Sequence, residues 1–279
     1  MKLLLGDNYY LNDWAKQVEF NEEYRKNLLK VNGIKYTENH VDGININIEG
    51  WFSEGVLKLL TANIIDNRFM EGDIGPDVGF MGAVVVKLLE TSKLYKETLD
   101  KLVYSITKVG YNGAVTLYCT IYDDNIYVRH MIARVNKPTI YIILDMLKED
   151  DSVILDNMHS KFLPQLNLIS QYGVGFLLTV PPFPYTVDFS SEVVINGLTN
   201  SNIKHIWLPD MNGNTVSTFD GIIGVITARG DFIDNWHPIR DARRRIFRTI
   251  NNIKIKDVMY RRDVGVKAQE QLETIKDWL

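Results

Sequence analysis

Residues 44–52 set the tightest limit on the architecture, because Ile44, Ile46 and Ile48 alternate with Asn45, Asn47 and Glu49. A period of two sends successive side chains to opposite faces, so the segment reads as a half-buried strand entered through the Asp42-Gly43 turn. A second strand is predicted over 56–65. Further on, 114–121 turns at Asp123-Asp124-Asn125 and returns as 126–132, which is a hairpin pattern. On that hairpin the period puts Ala114, Thr116, Tyr118 and Thr120 on one face of the first strand, and Val128, His130 and Ile132 on one face of the second.

Helical spacing occupies other stretches. Residues 8–32, with Trp14, Val18, Tyr24 and Leu28, read as a helical preface stopped by Asn32-Gly33. A helix over 92–108 carries Leu94, Leu99, Leu102, Val103 and Ile106 on one face and closes at Gly110. Strands are expected at 175–180, 204–208 and 221–227, before a helix opened by Pro238 that buries Ile239, Ala242, Ile246 and Ile250. Segment 71–82 is dense in glycine and carries Pro76, so it reads as a loop. Two uses of it stand open: a backbone cradle for an anionic ligand, or a structural crossover. The predicted class is α+β, divided into a preface (1–37), a middle domain (38–165) and a carboxy-terminal domain (166–279), the last boundary placed after the charged run Lys148-Glu149-Asp150-Asp151.

Composition narrows the function classes. With 31 Lys+Arg against 35 Asp+Glu the net charge is −4, which disfavours a nucleic-acid partner held by overall charge. Arg240, Arg244 and Arg248 share a helical face, read as solvated, with Asp234 and Asp241 available for pairing. The single Cys119 excludes an internal disulfide and fits a reducing compartment. Leu3-Leu4-Leu5 is too short for a signal-peptide core and no run of 18 apolar residues occurs, so no membrane is expected and the cytoplasm is the predicted location. The five histidines show no metal-ligand spacing, and no Walker-type phosphate loop is found.

Four segments, Gly72-Asp73-Ile74-Gly75-Pro76-Asp77-Val78-Gly79-Phe80-Met81-Gly82, Ala133-Arg134-Val135-Asn136-Lys137-Pro138-Thr139, Val180-Pro181-Pro182-Phe183-Pro184 and Met259-Tyr260-Arg261-Arg262-Asp263-Val264-Gly265, occur in this order. Together they resemble the later part of phosphoribosylamine-glycine ligase, an ATP-grasp enzyme of purine synthesis, over roughly residues 38–265. The resemblance implies a partial ATP-grasp domain, an antiparallel sheet with helices, followed by a small α+β carboxy-terminal domain. It also implies a chemistry: ATP activates a glycine carboxylate to an acyl phosphate, which an amine then attacks, with Mg²⁺ bridging the phosphates.

Carried over residue by residue, the family's acidic metal ligand on the first hairpin strand falls at Thr116, and the glutamate and asparagine-like positions of the second fall at His130 and Ile132. None is a carboxylate, so no metal is expected, and no cofactor. Arg134 stands where the family's arginine steadies the acyl phosphate, and His130 is a second, minor catalytic candidate. The resemblance assigns ligand contacts to Gly75, Asp77, Gly79, Met81, Gly82, Arg134 and Arg261, and a nucleotide contact to Glu38, while Asn45 puts an amide at a later acidic position. Since about 37 residues precede the match, the lobe that covers the ATP phosphates is expected to be missing. Two readings follow. One is a truncated pseudoenzyme that binds a phosphoribosyl or amino-acid ligand, or a homo-oligomer or protein partner in place of the lobe. The other is an ADP-forming ligase, using ATP and Mg²⁺, completed by a second polypeptide.

Overall fold

The computed structural model describes residues 13–148, 163–185, 190–209, 211–230 and 237–279. Residues 8–12 of the predicted preface, most of the charged run after Lys148, and Asp234 lie outside the described residues. The order begins with α1 (Asp13–Phe20) and α2 (Glu22–Val31), followed by β1 (Ile44–Ser53), β2 (Val56–Met70) and β3 (Ile74–Lys87). Next come α3 (Lys93–Glu97), α4 (Asp100–Lys108), the hairpin β4 (Gly113–Tyr122) and β5 (Asn125–Ile132), and α5 (Lys137–Met146). The remainder is β6 (Tyr172–Thr179), β7 (Ser190–Asn196), β8 (Ile206–Trp207), β9 (Met211–Asn212), β10 (Thr215–Phe219), β11 (Ile222–Gly230), α6 (Pro238–Asn252), β12 (Lys254–Ile255) and α7 (Val266–Thr274).

Eight strands form one antiparallel sheet in the order β5-β4-β1-β2-β3-β6-β11-β8. A smaller sheet has the order β12-β7-β10-β9. The large sheet contains strands from both sides of residue 165. Tight turns set its registers: Glu54 and Gly55 join β1 to β2, and Asp123 and Asp124 join β4 to β5, all four at positive φ. That backbone twist matches the twist of paired strands. The acidic pair at 123–124 is therefore a turn, as its Asp-Asp-Asn context predicts.

Both faces of the sheet are covered. One packs Ile46, Ile48, Ala62, Val84, Leu117 and Phe176 against helices that include α6. Helix α6 buries Ile239, Ala242, Ile246 and Ile250, as its spacing predicts, with Pro238 opening the helix and the His237 side chain capping Ile239 N–H. Each buried isoleucine contributes about 2 kcal/mol of transfer free energy. The other face packs Trp51, Leu59, Met81, Ala83 and Val85 against Ile140, Ile143 and Met146 of α5.

Four expectations need correction. Segment 71–82 is not a loop: only Glu71–Asp73 turn, and residues from Ile74 on belong to β3. Its glycines accommodate register shifts opposite β2 and close packing rather than a free loop. Residues 92–108 form two helices, broken where Thr98 leaves helical geometry with φ −129 and ψ −94. Strand β1 is not half-buried, because Asn47 and Glu49 are buried as well as the isoleucines. Finally, a bulge shifts the pairing from Tyr118↔His130 to Cys119↔Val128, so Val128 joins the opposite core from the face holding His130.

Candidate functional site

The face of the sheet under α5 changes character along its width. At β3 it is apolar, through Ala83 and Val85. At β2, β1 and β4 it becomes a polar floor. Asn63 stands opposite Asn47, and Thr61 and Thr116 stand on either side of Glu49. All five side chains are buried. Cross-strand neighbours hold their Cβ atoms about 5 Å apart, so Thr61, Glu49 and Thr116 make a continuous row across three strands.

The hydrogen bonds within the floor are incomplete. Trp51 Nε1 donates to Glu49 Oε1 at 2.6 Å, and Asn47 Nδ2 donates to Asn63 Oδ1 at 2.9 Å. Glu49 Oε2, Thr61 Oγ1, Asn63 Nδ2, Thr116 Oγ1 and Asn136 Nδ2 are buried without a partner. Burial pushes the Glu49 carboxyl up to about 7, against the opposing pull of Trp51, Thr116 and the Asn136 backbone N–H. Glu49, Thr61 and Asn63 were not singled out from sequence, where Glu49 reads as the polar side of an alternating strand; Thr116 was, as the position of the family's acidic metal ligand. The extra polar residues at 61, 63 and 116 were a usable signal once the strands were paired.

The predicted site residues fall in three places. Thr116, Tyr118, His130 and Ile132 do share a face, since Thr116 pairs with Ile132 and Tyr118 with His130. The exposed His130 ring lies 5.8 Å from that of Tyr118. Arg134 follows β5 with its side chain 57% exposed, and its Nε is 3.7 Å from Glu19 Oε2. A second Glu19 oxygen accepts from Ala133 N–H at 2.6 Å, which ties α1 to the end of β5. Glu38 is exposed and pairs with Lys26.

The glycine-rich residues and Arg261 belong to a different cluster. Asp77 turns back on its own strand, where one oxygen accepts from Gly79 N–H at 2.9 Å and the other from Asn67 Nδ2. The carbonyl of Gly75 accepts from Arg68 at 2.9 Å. Met81 is fully buried, and a Cβ on Gly82 would lie 2.6 Å from the Gly175 oxygen and 2.5 Å from Val264. Gly82 thus serves close packing of β3 on β6 and the carboxy-terminal segment. The Arg261 side chain is 1% exposed, with Nε 2.6 Å from Asp263, one terminal nitrogen 2.9 Å from Asp73, and Asp66 at 3.6 Å.

Backbone donors complete this lock: Gly72 N–H reaches Asp263 at 2.8 Å and Gly265 N–H reaches Asp66 at 3.0 Å. Burial opposes the Arg261 charge, but Asp263, Asp66 and Asp73 together hold its proton more tightly than usual. Asp73 is drawn below the ordinary carboxylate range by Lys267 and then Arg261. The guanidinium is committed to the fold.

Helix α6 puts Arg240, Arg244 and Arg248 on its exposed side, as predicted. The buried Asp241 pairs with Arg244 at 2.7 Å and Arg245 at 2.8 Å. Among the described residues no group of three or more His, Cys, Asp or Glu side chains is placed to hold a metal ion. No helix among them is long and apolar enough to cross a membrane.

Comparison with known proteins places this sheet. The chain has an ATP-grasp-like fold: it superposes on phosphoribosylamine-glycine ligase from Thermotoga maritima with a TM-score of 0.61 at 18% identity, over 81% of this chain and 56% of that one. The pyruvate carboxylase of Rhizobium etli matches with a TM-score of 0.58 at 14% identity, over 86% of this chain and 22% of the other. The Kluyveromyces lactis urea carboxylase gives 0.54 at 13%, over 94% and 22%. In sequence the chain is similar to the phosphoribosylamine-glycine ligase of Lactococcus lactis, 19% identical over 243 residues, which is 83% of this chain and 56% of the relative. It therefore spans about half the length of that relative. No family model matches the chain.

Proposed function

We propose that the protein is a degenerate, phosphoribosylamine-glycine ligase-like member of the ATP-grasp architecture that binds a ligand or partner and does not ligate by itself. The observation that carries this reading is the chemistry at the hairpin. Thr116 and Ile132 pair directly, as do Tyr118 and His130, so the face offers two hydroxyls, an imidazole and an alkyl group. Mg²⁺ binds through anionic oxygens and retained waters, and this set does not fit it. Glu49 adds one carboxylate, held near neutrality by burial, which does not replace a pair. No phosphoryl-transfer step is derived from these residues.

Ligand recognition falls to the groups that remain accessible. Arg134 presents its guanidinium beside the polar face, suited to a phosphate or carboxylate. Phe20 and Val31, 80% and 79% exposed at the ends of α1 and α2, supply apolar area for a second copy or a protein partner. The second reading, an ADP-forming carboxylate-amine ligase of phosphoribosylamine-glycine ligase type completed by another polypeptide, is supported by the retained Arg134.

Calorimetric titration of the folded chain with ATP and Mg²⁺ tests the choice. The expected result is no detectable heat. Micromolar binding overturns the degenerate reading and calls for ligation assays with amino acids.

A further inference from the structure

The polar floor has unmet hydrogen-bonding capacity of a particular kind. Three oxygens, Thr61 Oγ1, Glu49 Oε2 and Thr116 Oγ1, belong to side chains directly opposite one another on β2, β1 and β4; none makes a hydrogen bond of normal length, although Thr116 lies close enough to Glu49 to favour its charged form. Leaving a buried polar group without its hydrogen bond is costly, so several together on one face indicate an occupant. Its charge is set by the row, which offers one carboxylate and two neutral hydroxyls. An anion would meet a glutamate, and a divalent ion would lack the anionic oxygens it needs. A single positive charge with several N–H donors satisfies all three oxygens at once.

We propose that the row Thr61, Glu49 and Thr116 is a binding site for an ammonium-type cation. The other groups facing the row do not meet this need: Asn63 Nδ2 and Asn136 Nδ2 are unpartnered amide donors in the same floor but carry no charge. Trp51 Nε1 and the Asn136 backbone N–H engage Glu49 without neutralising a charge. Lys87 stands opposite Thr61 on β3, but its Nζ is directed to the Leu168 carbonyl at 3.5 Å. Arg134 is held at Glu19, while Tyr118 and His130 lie further along the face. The cation stabilises the ionised form of Glu49, which burial disfavours.

The test compares unfolding midpoints in ammonium chloride and sodium chloride at equal ionic strength and pH 7.5. The expected result is a rise of roughly 3–5 °C at ten times the dissociation constant of ammonium. Glu49→Gln keeps the shape and removes the charge, so it stays folded and loses the rise. Thr116→Val weakens the response several-fold. Lys87→Met keeps it.

Equal wild-type midpoints in the two salts would mean that water fills the row, and a full response in Glu49→Gln would mean that ammonium acts elsewhere; either overturns the site. A response seen only after Lys87→Met would place the lysine's own ammonium in the row and overturn it equally. Since no nucleotide enters the experiment, its failure is separable from that of the ATP titration.

Discussion

Strand β2 runs through two buried polar clusters that are opposites in construction. At one end Asp66 and the adjoining Asp73 close around Arg261 with Asp263, and backbone donors from Gly72 and Gly265 complete the set. Further back, Thr61 and Asn63 face Glu49, Asn47 and Thr116 with four polar atoms unpartnered. A buried charge is tolerated when its neighbours satisfy it, and a satisfied cluster has nothing left to offer a ligand. The Arg261 lock therefore holds the β2–β3 hairpin to the carboxy-terminal segment, whereas the Glu49 floor retains capacity for binding. The motif most resembling a family signature serves the fold, and the residues with unmet chemistry lie outside it.

The comparison breaks most sharply at Arg261. Arg261→Met removes the cation from three carboxylates and is expected to cost about 3 kcal/mol at neutral pH by urea denaturation. An unchanged midpoint would show that the lock contributes no stability.

Glu49 gives the next largest effect, with the opposite sign. Its folded carboxyl is raised from 4.5 to about 7, so the folded state binds the proton more tightly. Stability is therefore full below the unfolded value and falls by about 3 kcal/mol as pH rises from 4.5 through 7. Glu49→Gln should flatten this window and be more stable than wild type at pH 8. A parallel pH profile for the two proteins would remove the case for a buried acid.

Gly82→Ala should cost about 1–3 kcal/mol, because the new methyl meets the Gly175 oxygen and Val264. Thermal unfolding would show it, and a neutral outcome would restore Gly82 as a candidate ligand contact. The smallest effect is expected at Arg134→Ala, within about 0.5 kcal/mol, as the arginine side chain is 57% exposed and Glu19 keeps its bond from Ala133 N–H. A loss above 2 kcal/mol would make Arg134 a structural residue and leave the ligand reading without its cation.

The period of two in 44–52 and in the 114–132 hairpin marked β1, β4 and β5, and the 3.6 period after Pro238 marked α6 with its buried residues correct. Those patterns are local and survive any packing. The glycine-rich segment was misread because glycine density reports backbone freedom, and the same freedom serves a bulged, tightly packed strand. Strands β7 and β10 gave no expectation at all, because such short segments become a sheet only when they pair with each other.

The sequence by itself determined the α+β class, the hairpin turn at Asp123-Asp124, the shared face of Thr116, Tyr118, His130 and Ile132, and the absence of carboxylates at those positions. These follow from side-chain period and residue identity alone. Only the tertiary structure decided that Arg261, with its neighbour Asp263, is sealed against Asp66 and Asp73, which are distant from it in the chain, and that Glu49 is buried between Thr61 and Thr116. Strand register and burial decide whether a polar residue is solvated, satisfied or left with an open valence, and both are set by partners distant in sequence.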